Sequence, residues 1–494
     1  MQHSSRSTNH SKSATEAAQR SSGAPELIRS LGFRDAIGLS IGTVIGTGVF
    51  LKAATMAQHT PSASLILIAW LAAGLLSLMG ALCYAELGAR FPKAGGEYVY
   101  LREAYGPLVA FLFGWTRFLI GNPGSIAAYA VGAATFLSAV VHFPDSRARN
   151  LCAVGFIVFF SLLNCLRVTL GASVQNALTA LKVLMIFGLS CAIYFFGLKS
   201  AHALASSPTL LSSGSLHWTG WSAFGAAMLA SLWAYDGWNN MPMAAGEIKD
   251  PQKNIPRALV IGISVVIGLY LLLNTALLST LTIDQIQASY SRLHPEALPV
   301  ATRAASAAFG AWMGASIVMV LSIAFVISAL GAMHGSILTC ARIPYAMAQD
   351  ELFFKVLGRL NRGAGAPFVA VLTQGLIACL LVFSGSWDQL TDYVVFAGWI
   401  FYMLATASLF VFRRRDERRI LSNRSDAQSG EIKSVGFKTP FFPYLPILFI
   451  GASVCLLVNT VIEAPAQSLT GLAIILLGVP VYYFYSATAK RSRV

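Results

Sequence analysis

Four glycines fall within fourteen residues of one apolar stretch, residues 37–50, and two of them flank a hydroxyl in Gly46-Thr47-Gly48. A glycine inside a helix costs about 1 kcal/mol relative to alanine, so this density favours an interruption of the helix. An interrupted helix leaves N–H groups free, and N–H groups at the start of a helical segment bind anions such as a carboxylate. The alternative is a glycine-lined contact between two intact helices, which is common in membranes.

A second apolar stretch, residues 226–242, carries a carboxylate and turn-forming residues near its middle. Asp236-Gly237 is a typical turn pair and Pro242 follows five residues later, which predicts a second interrupted helix. An aspartate at membrane depth costs about 2.5–3.5 kcal/mol on insertion scales, so Asp236 is expected to face a cavity or a partner. It could bind a cationic group, or it could be a structural acceptor for freed N–H groups. Asn239 could bind a ligand or hold the broken helix in place.

Three further ionisable residues lie inside apolar stretches. Lys182 is expected about 13 Å inside its segment at 1.5 Å per residue. Its ammonium could satisfy carbonyl groups freed by the first break, or it could extend to the membrane surface. His334 could carry a proton or could be a hydrogen-bonded structural residue. Arg117 could extend toward an aqueous vestibule, and the sequence assigns it no role.

Other residues could line or close a site. Ser125 lies among small residues and could face a pocket or merely permit close packing, and Trp399 could contact a ligand or pack in the core. Four charged residues near the predicted ends of segments could pair as a gate, or could be ordinary interfacial charges: Glu86, Arg90, Glu247 and Arg342.

The composition identifies the setting in which these residues must be positioned. Hydrophobic residues make up 56% of the 494 residues and charged residues only 11%, with a mean hydropathy of +0.64. Soluble globular chains carry about 25% charged residues, so the composition predicts an integral membrane protein. Residues 1–30 are polar and serine-rich, and a disordered tail is expected there.

A membrane span requires about 20 apolar residues, and by that measure the chain has twelve candidate segments. They are 34–58, 64–88, 105–139, 151–168, 173–197, 218–246, 257–282, 309–346, 366–384, 388–412, 442–462 and 468–487. Residues 31–200 and 215–412 then form two five-helix halves, and the second half is inverted because five is odd. The two glycine-interrupted segments occupy matching positions in these halves, which is the best sequence indication of a transporter's central site.

Lysine and arginine set the expected orientation. With a cytoplasmic N-terminus, 27 of the 35 lysines and arginines fall on the cytoplasmic side and six fall outside. Both termini are therefore expected in the cytoplasm, together with a basic loop over residues 413–440. The last unit, residues 441–494, is expected to contain helices 11 and 12 and a short cytoplasmic tail. This asymmetry explains the net charge of +14 without a nucleic-acid partner.

Other functional classes lack their motifs. The seven cysteines are scattered with no CxxC pair, so neither a metal site nor a disulfide framework is indicated, and no cofactor is expected. The sequence has no HExxH, no G-x-S-x-G with triad partners and no Walker loop, which argues against an enzyme. A channel or receptor would need a filter repeat or a large outer domain.

Three stretches resemble a known family in combination. The first reads Gly42-Thr43-Val44-Ile45-Gly46-Thr47-Gly48-Val49-Phe50. The second joins Tyr84-Ala85-Glu86-Leu87-Gly88 to Phe91-Pro92-Lys93-Ala94-Gly95-Gly96-Glu97-Tyr98, and the third joins Trp233-Ala234-Tyr235-Asp236-Gly237-Trp238-Asn239 to Gly246-Glu247-Ile248 and Pro251. They resemble amino acid transporters of the APC superfamily over residues 31–487. The similarity is strongest to bacterial members of the L-type branch, which include serine/threonine and alanine/serine/cysteine exchangers.

The resemblance implies an all-α membrane protein of 12 transmembrane helices, with a 5+5 inverted repeat of the LeuT/APC type and broken helices 1 and 6. It implies that first-helix N–H groups hold the substrate's α-carboxylate, that carbonyl groups of helices 1 and 6 hold its α-ammonium, and that Trp233 closes over it. The matching substrate-binding positions are Val44, Ile45, Gly46, Thr47, Gly48, Trp233, Ala234 and Asp236, with Ser125, Asn239 and Trp399 as further candidates.

A fifth-helix lysine in this family occupies the position of the sodium ion of sodium-coupled relatives. Lys182 therefore implies transport independent of sodium. The resemblance as a whole implies an antiporter of neutral L-amino acids that works by alternating access. Two alternatives stay open: a proton-coupled symporter in which Lys182 or a carboxylate titrates, and an exchanger that accepts cationic amino acids through Asp236. Family carriers of large neutral substrates have glycine at the position of Asp236, which leaves the side-chain preference open.

Animal L-type carriers bind an ancillary glycoprotein through a cysteine between helices 3 and 4. The corresponding loop, residues 142–150, contains no cysteine. The resemblance therefore implies a protein that works without a disulfide-linked subunit. It fits a bacterial origin and a location in the bacterial inner plasma membrane.

Overall fold

The structure, a computed structural model, describes residues 27–166, 168–197, 218–291, 293–294, 297–310, 314–361, 365–384, 387–425, 436–463 and 465–491. Most of the predicted N-terminal tail and residues 426–435 of the predicted basic loop lie outside these ranges. Within them the regular structure is helical, and one isolated parallel bridge joins Leu31 to Ile248.

The helices are numbered in chain order. The first half contains α1 (Phe33–Val44), α2 (Gly48–His59), α3 (Ala63–Arg90), α4 (Glu97–Tyr105), α5 (Pro107–Thr116), α6 (Asn122–Leu137), α7 (Ser146–Asn164) and α8 (Val168–Gly197). The second contains α9 (Trp218–Tyr235), α10 (Pro251–Thr280), α11 (Ile283–Gln287), α12 (Val300–Phe309), α13 (Gly314–Cys340), α14 (Arg342–Gln349), α15 (Phe368–Val382) and α16 (Trp387–Ser425). Helices α17 (Tyr444–Glu463) and α18 (Pro465–Arg491) follow, and short 3₁₀ helices span Met241–Glu247 and Lys355–Gly358.

Eight helical segments in the described residues are long and apolar enough to cross a membrane. Two shorter apolar helices cover Ala223–Tyr235 and Phe368–Val382. These findings, together with the composition, establish an all-helical integral membrane protein. The expected twelve spans, their inverted repeat and the unit boundaries stay predictions.

The predicted first and third segments are each divided. The first is interrupted between Val44 and Gly48, within its glycine-rich stretch. The third contains a π-helical turn, Arg117–Gly121, between α5 and α6. Pro123 lies in the first turn of α6 and cannot donate a backbone hydrogen bond, which favours the wider turn before it. A π turn inside a helix frequently marks a functional site.

Helix α16 continues past the predicted end of its segment at residue 412 and reaches Ser425. Its extension carries Arg413, Arg415 and Asp416 to the end of the bundle that also holds Arg90. This end, called the basic end below, contains the ion pairs Arg90–Asp416, Arg413–Glu86 and Arg102–Asp350. The predicted loop over residues 413–440 therefore begins as helix.

Close helix packing depends on small residues of α3. A Cβ atom built on Gly80 would lie 2.7 Å from the ring of Trp238 and 2.8 Å from the ring of Phe449. Glycine thus lets α3 approach both the turn that follows α9 and helix α17. Without a hydrophobic driving force between helices in lipid, such close contacts stabilise a helical bundle by dispersion.

Replacing Gly80 with leucine should destabilise the bundle by about 1–3 kcal/mol, because the added side chain overpacks two rings that cannot both move. A lower melting temperature of the purified protein in detergent would report this. Gly155→Leu is the matched control, since Gly155 is an exposed helical glycine and a Cβ atom built on it would have no atom within 4 Å. Equal melting temperatures for the two variants would contradict the prediction.

Candidate functional site

The first break is held open by one buried lysine. The ammonium Nζ of Lys182, on α8, donates hydrogen bonds to the carbonyl oxygens of Gly42 at 2.9 Å and Ile45 at 2.6 Å. Lys182 is fully buried. Its charge is therefore balanced by carbonyl dipoles at the end of α1, where the helix dipole is negative.

Two further side chains supply hydrogen-bond donors to carbonyl oxygens of this break. The hydroxyl of Tyr270, on α10, lies 3.3 Å from the carbonyl oxygen of Val44 and 2.8 Å from that of Ala234. The hydroxyl of Ser328, on α13, donates to the carbonyl oxygen of Gly46 at 3.1 Å. Sequence reasoning missed both residues, because a tyrosine and a serine in apolar helices give no signal of their own.

The N–H groups of the break point the opposite way along the chain. Helix α2 begins at Gly48, and the N–H groups of Gly48 and Val49 have no acceptor within the helix. The N–H group of Phe50 donates to the carbonyl oxygen of Thr47 at 3.2 Å. The hydroxyl of Thr47 is also buried without a hydrogen-bond partner. The arrangement can accept an anionic group at the start of α2.

The second break lies directly against the first. Helix α9 ends at Tyr235, and Gly237 follows with a φ of 106°. A Cβ atom on Gly237 would lie 2.6 Å from the carbonyl oxygen of Thr43, and one on Gly48 would lie 2.7 Å from Cα of Ala234. The hydroxyl of Thr43 lies 2.7 Å from the carbonyl oxygen of Leu39 in its own helix and 3.0 Å from that of Gly237. Only glycine permits both approaches, so the two broken helices meet backbone to backbone.

Aromatic rings cover the junction of the two breaks. The ring centroids of Trp233 and Tyr129 lie 6.1 Å apart, and a Cβ atom on Gly46 would lie 2.7 Å from the ring of Tyr129. Ser125 lies one turn before Tyr129 on α6 and donates to the carbonyl oxygen of Gly121 at 2.9 Å. The sequence singled out Trp233 and Ser125 but not Tyr129, which shares the helix face of Ser125.

A hydrogen-bonded chain leads away from the second break. The hydroxyl of Tyr402, on α16, donates to Oδ1 of Asp236 at 2.8 Å and lies 3.5 Å from Oδ1 of Asn239. The amide of Asn239 donates to Oε1 of Glu97 at 2.6 Å. Trp399 packs beside this chain, with its ring 5.7 Å from Tyr402 and 5.8 Å from Phe449. Sequence reasoning missed Glu97 and Tyr402 as site residues.

Comparison with known proteins identifies the family of this chain. The family model for amino acid permeases matches residues 31–484. The chain belongs to the amino acid permease family. Among its relatives, the permease is 31% identical over 465 residues to the b(0,+)-type amino acid transporter 1 of Mus musculus, which covers 93% of this chain and 88% of the relative.

Two other relatives span nearly the same length. The permease is 29% identical to a serine/threonine exchanger of Bacillus subtilis, over 92% of this chain and 97% of the relative. It is 28% identical to the large neutral amino acids transporter small subunit 2 of Mus musculus, over 96% and 85% respectively. The matches thus include both bacterial and animal transporters.

The four charged residues that could form a gate belong to separate networks in the permease. Arg342 makes a two-pronged ion pair with Glu247, at 2.7 and 3.0 Å, and both side chains are buried. Glu86 instead pairs with Arg413 at 2.7 Å and accepts from the backbone N–H of Thr439 at 2.6 Å. Arg90 pairs with Asp416. A gating role for any of the four stays a prediction.

His334 is a further ionisable residue of the interior and is fully buried. His334, on α13, stacks edge-on against Phe160 with the ring centroids 5.4 Å apart, and neither ring nitrogen has a hydrogen-bond partner. Among the residues that the structure describes, no group of three His, Cys, Asp or Glu side chains could hold a metal ion.

Replacing Lys182 with glutamine should abolish most transport, because the carbonyl groups of Gly42 and Ile45 lose a charged donor that the break requires. The loss of such a hydrogen bond costs roughly 1.5–3 kcal/mol, so the melting temperature should fall as well. Uptake by reconstituted protein and thermal unfolding in detergent measure the two effects. Lys355→Gln is the control, since Lys355 is exposed and pairs with Glu351, four residues earlier in the chain. Normal uptake by the Lys182 variant would contradict the assignment.

Proposed function

We propose that the permease is a sodium-independent exchanger of neutral L-amino acids that works by alternating access. The observation that carries the proposal is the Lys182 ammonium within the first break. A fixed positive charge satisfies the freed carbonyl groups, so no sodium ion is needed there. The start of α2 then remains available for the substrate's α-carboxylate.

The proposed substrate contacts follow from the two breaks. N–H groups at Val44, Gly46, Thr47 and Gly48 hold the α-carboxylate, and carbonyl groups near Val44, Trp233 and Asp236 hold the α-ammonium. The side chain lies toward Ser125, Asn239 and the aromatic residues Trp233 and Trp399. The position of Tyr129 against Gly46 and Trp233 supports a compact pocket, which favours small neutral side chains.

The proposed topology has twelve transmembrane helices, two inverted five-helix halves and both termini in the cytoplasm. The basic end faces the cytoplasm, which is supported by the 27 of 35 lysines and arginines expected on that side. The membrane is the plasma membrane of a bacterium. Because the loop over residues 142–150 has no cysteine, the protein works without a disulfide-linked subunit.

The described conformation is closed at the basic end. Leu31 pairs with the segment after α9, donating to the carbonyl oxygen of Glu247 at 2.9 Å and accepting from Lys249 at 2.8 Å. The Glu247–Arg342 pair seals the same region. In the proposed cycle these contacts separate when the site opens to the cytoplasm, and Glu86 and Arg90 keep α3 bound to the extension of α16.

The first test is uptake of labelled amino acids into proteoliposomes in sodium-free buffer, with or without unlabelled amino acid trapped inside. Strong uptake only into loaded vesicles is expected, because the binding site of an exchanger turns back to the outer face only with substrate bound. Competition by unlabelled amino acids then identifies the substrate class. Uptake into empty vesicles under an inward proton gradient would instead support the proton-coupled symporter.

The role of Asp236 distinguishes an exchanger of neutral amino acids from an exchanger that also accepts cationic ones. Its Oδ1 already accepts from Tyr402, which supports a structural role, while the negative charge of an ionised carboxylate would suit a cationic side chain. Asp236→Asn keeps a hydrogen-bond acceptor for Tyr402, so exchange of neutral amino acids should fall less than about tenfold. Competition by lysine and arginine should be weak in both proteins. Strong competition that disappears in the variant would favour the cationic exchanger.

A further inference from the structure

Arg117 is a buried cation with most of its donors unused. It begins the π turn before α6 and is 4% exposed. Its Nε and Nη1 have no hydrogen-bond partner, and Nη2 makes one long contact, 3.4 Å from Oδ1 of Asn240. A guanidinium presents five N–H donors in a planar fork, so this one is left largely unsatisfied. Such a burial is costly unless a further group binds there.

Glu97 is a buried carboxylate with an acceptor oxygen that lacks a well-aligned donor, whereas Arg117 has donors that lack acceptors. It is fully buried at the start of α4, where Oε1 accepts from Asn239. The Tyr84 hydroxyl lies beside the same carboxylate, and Oε2 forms no well-aligned hydrogen bond. Arg117 and Glu97 attract each other electrostatically, but no nitrogen of Arg117 bonds to Glu97, because Nε and Nη1 have no partner and Nη2 contacts Asn240. Arg117 forms no ion pair with Asp236 either. Two opposite charges therefore face the same interior region without neutralising each other by contact.

Both groups lie between the two breaks and the closed basic end. Asn239 and Asn240, which contact them, directly follow the break at Gly237. On the other side, Gly95 donates to the carbonyl oxygen of Met243 at 2.9 Å, and a Cβ atom on Gly96 would lie 3.0 Å from the nitrogen of Met243. Arg117 and Glu97 therefore lie next to the segment that connects the second break to the contacts at the basic end.

We propose that Arg117 and Glu97 form a second binding site for the transported amino acid, which it occupies between the central breaks and the cytoplasm. The inference rests on the proposed exchange function. The Arg117 guanidinium holds the α-carboxylate in a two-pronged contact, and Oε2 of Glu97 accepts from the α-ammonium. A zwitterion suits this site because it presents both charges at once and leaves the net charge of the region unchanged.

The other polar groups around the pair support a zwitterion rather than a lone ion. Tyr84 on α3, Tyr402 on α16, Cys340 on α13 and Asp236 all interact with one or both members. With Asp236 ionised the region already holds two carboxylates and one guanidinium. An anion alone would face both carboxylates, and a cation alone would leave the Arg117 donors empty.

The test compares transport from the two faces of the membrane, using right-side-out and inside-out vesicles with unlabelled amino acid inside. Arg117→Gln and Glu97→Gln should each raise the KM for uptake from the cytoplasmic face about tenfold, the order expected for one lost charge-assisted contact. The KM from the external face should change less than about twofold, since the central site is intact. Arg117→Lys should be intermediate, because it keeps the charge without the fork.

Arg359→Gln is the matched control, because Arg359 is an exposed arginine of the connection between α14 and α15. The Glu97→Gln/Arg117→Gln double variant separates binding from mere charge compensation. A second site predicts that the double variant is at least as impaired as either single one, whereas charge compensation predicts recovery. Recovery, or equal KM changes on both faces, would overturn the inference. Absence of exchange by the unaltered protein on either face would instead refute the proposed function.

Discussion

The backbone groups released at two helix breaks must find partners where no lipid can supply them, and the rest of the permease is arranged around that requirement. Lys182 meets most of it by binding the carbonyl groups of Gly42 and Ile45 from a neighbouring helix. Tyr270 joins the ends of both broken helices through Val44 and Ala234. These donors bind carbonyl oxygens and therefore do not occupy the N–H groups at the start of α2, which the proposed carboxylate site uses.

The two breaks also stabilise each other. The Thr43 hydroxyl lies within hydrogen-bonding distance of the Gly237 carbonyl oxygen, and glycine at 48 and 237 allows the backbones to touch. Movement of one broken helix must therefore displace the other. This direct contact gives a physical basis for moving the two half-helices together during alternating access.

Among the described residues, charged side chains form ion pairs at the basic end of the bundle but not in the region near the two breaks. At the basic end, Glu86, Glu247 and Asp416 each have an arginine partner. Closer to the breaks, Arg117 and Glu97 retain unpaired donors and an unpaired acceptor. Pairing suits contacts that hold helices together, whereas unpaired buried charge is expected where a ligand passes.

The sequence alone determined the membrane setting, the family and the positions of both breaks. Composition, glycine density and the Asp236-Gly237 pair are local properties, and local properties can be read from a single chain. The depth of a charge within its segment can be estimated in the same way, which is why the sequence predicts that Lys182 can reach the carbonyl groups of the first break.

Only the tertiary structure decided which side chains meet. Glu97, Tyr129, Tyr270 and Tyr402 come from four different helices, and their spacing along the chain gives no sign that they approach the breaks. The same holds for Glu86, which pairs with Arg413 rather than with Arg342. Helix packing fixes these partners, because it is set by the shapes of whole surfaces and not by residues within one segment.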